Sequence, residues 1–60
     1  MTAKEAFEMC LMSLNYSYKM WEDAAHEERD PDMIKRYSAM AHAIKYEIDA
    51  ISRLEESNAD

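Results

Sequence analysis

Asp23-Ala24-Ala25-His26, flanked by Glu22 and Glu27, comes closest in this chain to a metal-ligating pattern. Helical di-iron bundles take glutamates from some helices and Glu-x-x-His pairs from others, all projecting inward onto one point. At 100° per residue, Glu22 and His26 share a face with Lys4, Glu8, Asn15 and Lys19. That face is polar and points away from the apolar side, so these ligand types are expected in solvent, with no metal and no cofactor bound. His42 meets the same difficulty. It falls on a polar face with Lys35, Tyr46, Asp49 and Arg53, and no Ser, Cys or Asp is read at a spacing that would orient it. A catalytic histidine needs an orienting partner and a pocket. Cys10 lies on the apolar side, where a small buried thiol is the ordinary reading and no basic neighbour is placed to lower its pKa. The chain is expected not to be an enzyme.

Two further groups could bind rather than react. Met9, Met12, Tyr16 and Met20 form a soft apolar ridge beside the charged face, and methionine suits adaptable binding surfaces as well as irregular cores. Between Glu22 and Asp32 stand six carboxylates (Glu22, Asp23, Glu27, Glu28, Asp30 and Asp32) against one arginine, Arg29. Glu27 and Glu28 are expected at the negative end of a helix dipole, where a carboxylate is poorly placed. Lys35 and Arg36 stand near enough to offset part of that charge.

The elements that position these groups follow from one residue. Pro31 is the only proline among 60 residues, and there is no glycine. Proline lacks a backbone N–H and clashes with the preceding turn, so a helix arriving from the N-terminal side must stop short of it. The same residue suits the first position of a new helix, with Asp30 as its N-cap. At the other end, Thr2-Ala3-Lys4-Glu5 has the form of a capping box. The expected chain is a single all-α domain over 1–60: helix 1 over about 3–29, a turn at Asp30-Pro31, helix 2 over about 31–56, and a frayed tail at 57–60.

Helix 1 carries Ala3, Phe7, Cys10, Leu14, Ser17, Trp21 and Ala24 at 4-3-4-3 spacing. Leu11, Tyr18 and Ala25 widen the apolar arc on one side, and Ala6, Met9, Ser13 and Met20 on the other. Helix 2 repeats Tyr37, Ile44 and Ile51, then Met33, Met40, Glu47 and Leu54, then Ile34, Ala41 and Ile48, each row seven apart. Phe7, Cys10, Leu14, Trp21, Tyr37, Met40, Ile44, Ile48, Ile51 and Leu54 are the expected core and self-association residues. Glu47 interrupts its apolar row and is expected either to reach water at the edge or to pair across an interface.

The arc of helix 1 is wider than one partner helix can cover. A chain of 60 residues with one cysteine also has a small core and no internal disulfide. Both point to an antiparallel hairpin that associates into a four-helix bundle dimer. Seven basic against 13 acidic residues give a net charge of −6, which argues against direct nucleic-acid binding. No run is apolar enough for a membrane span, and Met1-Thr2-Ala3 reads as an ordinary cytoplasmic start. The leading expectation is a regulatory interaction protein that binds another protein through Met9, Met12, Tyr16 and Met20 or through Glu27 and Glu28. The alternative is an acidic inhibitor or nucleic-acid mimic of a DNA-binding host protein, as small phage or mobile-element proteins are. A metal-binding bundle ranks third.

Overall fold

The computed structural model describes residues 1–57 and contains two helices, α1 (Ala3–Glu27) and α2 (Pro31–Ser57), packed against each other. The Thr2 hydroxyl accepts the Glu5 N–H at 3.1 Å, and Glu5 Oε1 accepts the Thr2 N–H at 3.2 Å. This reciprocal cap satisfies two donors that the first turn would otherwise leave free.

Helix α1 ends at Glu27, two residues before the expected stop. Glu28 is extended, with φ −79° and ψ 146°, and its N–H makes the last bond of the helix, to Ala24 O at 3.1 Å. Its carboxylate then turns forward: Oε1 accepts the N–H of Arg29 at 3.0 Å and of Asp30 at 3.2 Å. A side-chain acceptor that bonds the backbone following it offers that backbone an alternative to helix continuation, as the shorter Ser, Thr, Asn and Asp side chains commonly do. Asp30 is already held out of the α region by Pro31, so the chain leaves the helix as soon as a side chain can satisfy the connection. Asp30 caps α2 as expected, Oδ1 taking the Asp32 N–H at 3.0 Å and its carbonyl taking the Ile34 N–H at 2.9 Å. Ser57, expected to fray, is the last residue of α2; the rest of that tail lies outside the described residues.

The seam between the helices is a heptad on each side. Phe7, Leu11, Leu14, Tyr18, Trp21 and Ala25 face Ile34, Tyr37, Ala41, Ile44, Ile48 and Ile51, all at least half-buried. The Trp21 and Tyr37 rings meet at 5.6 Å between centroids and 41° between planes, within the range of favourable aromatic pairs. Because the helices run in opposite directions at equal rise, Trp21 level with Tyr37 puts Leu14 level with Ile44 and Phe7 level with Ile51.

This seam is rotated from the one that 4-3 spacing picks out. Phe7, Leu14 and Trp21 belong to both; Leu11, Tyr18 and Ala25 join them on one flank, and on the other Ser17 and Ala24 are partly buried while Cys10 is exposed. Bulk sets the rotation: Leu11 and Tyr18 fill the space between helices better than Cys10 does. Cys10 is therefore exposed on this hairpin, and so are Met40 and Leu54, at 45% and 54%. Glu47, in the same row as those two, is also exposed. Ala41, 7% exposed, is the only buried residue among those described. No described helix is long and apolar enough to cross a membrane.

Candidate functional site

The hairpin measures 46 by 17 by 10 Å, so it is a slab with two broad faces. Helical geometry assigns their residues, because rows on one side of each seam must share a face. The first face is polar. A hollow of about 220 Å³ lies there between the helices, lined by Tyr18, Glu22, His26, Ser38, Ala41 and His42 among others. A second hollow continues along the same face and includes Asn15, Lys45 and Asp49, sharing Tyr18 and Glu22 with the first. Glu22 stands one turn after Tyr18. A hydrogen bond to its carboxylate, then partial burial, then its negative charge hold the Tyr18 phenol above its ordinary 10.0. A raised folded-state pKa favours the folded chain while the phenol is protonated. That contribution is lost only as pH rises through the raised value, above 10.0.

His42 is not as isolated as its sequence neighbourhood suggested. Ser38 stands one helical turn before it, and the two line the first hollow together. Counting back four residues from His42 would have found it. No hydrogen bond joins the two among the described residues. His26 and Glu22 line this hollow as well, yet among the described residues no three His, Cys, Asp or Glu side chains are grouped so as to hold a metal ion.

The second face is apolar and small. From α1 it takes Ala6, Cys10, Ser13, Ser17 and Met20; from α2 it takes Met33, Met40, Ala43, Glu47, Ala50 and Leu54. Most of these are exposed in the hairpin. Of the expected core and self-association residues, Phe7, Leu14, Trp21, Tyr37, Ile44, Ile48 and Ile51 lie on the seam between α1 and α2. Cys10, Met40 and Leu54 lie on this second face.

The expected partner-binding residues divide in the same way. Met20 belongs to the second face and Met9 to its edge. Met12 and Tyr16, 72% and 70% exposed, lie one turn apart on the outward side of α1. At the tip, Glu27 is free in solvent, whereas Glu28 is half-buried and occupied with the turn. The reading of Glu28 as a misplaced carboxylate is thereby corrected. It stands just past the helix end, and its charge faces two N–H donors rather than the carbonyl end of the dipole.

Tyr46, 79% exposed on the outer side of α2, was read only as a polar-face residue. No signal in its spacing distinguishes it from a solvated tyrosine. Comparison with known proteins finds no match, whether a family model, a curated protein or a solved structure.

Proposed function

We propose that this protein is a small, non-enzymatic interaction module that works as a homodimeric four-helix bundle and presents its outer surfaces to another protein. The observation that carries the reading is the state of the core. With Ala41 alone buried among the described residues, the other seam side chains stay partly open to solvent while a second apolar face lies open beside them. Closing that face against another pair of helices would complete the burial of Phe7, Leu14, Trp21, Ile44 and Ile51. Burying a Leu, Ile or Phe side chain from full exposure contributes about 1.5–3 kcal/mol, and closing the face would add the part that the hairpin leaves unburied. Summed over several side chains, that remainder matters to a chain with so small a core. A regulatory role in a reducing compartment such as the cytoplasm suits a free thiol. No cofactor and no direct contact with nucleic acid form part of this reading.

The experiment is a mass measurement joined to a melt. Light scattering at micromolar concentration should give twice the monomer mass, and the melting temperature should rise with protein concentration by mass action. A monomer with a concentration-independent melt would reject the reading.

A second reading rests on the exposed tip acids Glu22, Asp23, Glu27 and Asp32. They fit an acidic inhibitor that occupies the basic surface of a DNA-binding protein.

A further inference from the structure

We infer that the second copy docks on the Cys10–Met40 face with its tip at the opposite end, so that α1 lies on α1 and α2 on α2. This rests on the dimer reading above and specifies its geometry. The register set by Trp21 and Tyr37 sorts the second face into levels along the hairpin. Met20 and Met40 stand within two residues, about 3 Å, of one level, and Cys10 and Ala50 stand as near to another about as far on the other side of the midpoint. Ser17 with Ala43, and Ser13 with Glu47, are offset by the same two residues and mirror each other between them. Each level pairs one residue from either helix, and bulk alternates along the face.

A twofold axis across the slab at its midpoint exchanges these levels. The bulky pair Met20 and Met40 then lands on the small pair Cys10 and Ala50 of the other copy. The Glu47 level lands on Ser17 and Ala43, where small side chains leave room for it. Interiors pack to high density only when bulk meets space in this way. With the tips at the same end, every level would meet itself. Four methionines would crowd one layer and four small residues would leave a void in another. The two Glu47 carboxylates would enter a single layer, a like-charge arrangement in a partly dry site.

Two independent features agree. The tip carries the acid run from Glu22 to Asp32, and opposite ends keep the two runs a hairpin length apart. The outline of the slab, 46 by 17 Å, is also comparable in size with the footprint of about 800 Å² per partner that stable interfaces bury. Between Cys10 and Met20 on α1, and between Met40 and Ala50 on α2, large and small mirror each other, so the middle of the face is complementary to itself. That property selects a second copy over a foreign helix.

The test uses the full chain with a spin label at the tip (Arg29→Cys with Cys10→Ser). Dipolar spectroscopy on the dimer should return a label separation near the 46 Å hairpin length. In a separate variant, Met20→Cys should place a second thiol level with the native Cys10 of the other copy, across the α1–α1 contact. Mild oxidation should then give a disulfide-linked dimer. A separation of one or two interhelix spacings, about 10–20 Å, would overturn the orientation while leaving the dimer intact. A dimer with long separation but no crosslink between Cys10 and the thiol introduced at position 20 would place the contact on a different face. A monomeric mass, with no dipolar signal, would remove the dimer reading itself.

Discussion

Glu28 shows how far one side chain departs from what its position in sequence implies. Counted along the chain it belongs to a helix C-terminus, where a carboxylate meets the negative end of the dipole. Ending the helix at Glu27 turns the same carboxylate into an acceptor for Arg29 and Asp30. Glu27 beside it gains no such partner among the described residues and remains at the unfavourable end. The two glutamates should therefore respond in opposite directions. Glu28→Ala should lower stability by about 0.5–2 kcal/mol, the usual cost of a lost cap. Glu27→Lys should raise it by about 0.3–1 kcal/mol through the dipole. Denaturant melts of the two variants at low salt check this, and equal responses would show that the turn does not depend on the Glu28 carboxylate.

At the scale of the elements, nearly everything local was legible in the sequence, and the rotation of the helices was not. The Thr2–Glu5 cap, the Asp30 cap and the start of α2 at Pro31 are each written in three or four adjacent residues. Such short-range bonds form the same way in any context. The seam is different, because Phe7, Leu14 and Trp21 fit either of two neighbouring 4-3 rows. Spacing alone does not distinguish Leu11 and Tyr18 from Cys10 and Ser17. The choice depends on which row the isoleucines of α2 can fill against, and that is a tertiary matter. Ser38 was within reach of the same local reading, because it stands four residues before His42; the hollow that the two line is what spacing does not give.

The settled seam gives a direct comparison of side chains. Leu14→Ala and Ile44→Ala remove methyl and methylene groups from its centre, and each should cost about 2–5 kcal/mol if the site is closed by a second hairpin. Asn15→Ala and Lys45→Ala, one residue along on the polar face, should stay within about 0.5 kcal/mol. Thermal melts that fail to separate the two pairs would mean that the helices are rotated differently.

For the molecule as a whole, the question is which surface is left for a partner once the second face is covered. In the proposed dimer, docking would remove Met20 and the edge of Met9 from solvent, whereas Met12 and Tyr16 would stay outside. They remain as adjacent apolar side chains on a helix otherwise dressed in charge. The acidic tips, at opposite ends of the proposed dimer, would stay exposed too. A partner that lays an apolar face on α1 should lose at least tenfold in affinity, about 1.4 kcal/mol, on Met12→Lys or Tyr16→Ala. The loss should persist at high salt, because apolar burial is not screened. A basic target held at the tip should instead show an association rate that falls steeply with ionic strength, and should weaken on Glu27→Lys. Glu28→Lys is unsuited to this comparison because it also disturbs the turn. Exposed acids are ordinary on a protein of this charge. A methionine and a tyrosine held one turn apart and more than two-thirds exposed are harder to account for by solvation alone, so the outward side of α1 is the surface expected to respond. Proteins recovered on the wild-type dimer and on Glu27→Lys, but lost from Met12→Lys at both salt concentrations, would bear this out. Retention on Met12→Lys with loss on Glu27→Lys would transfer the function to the tip.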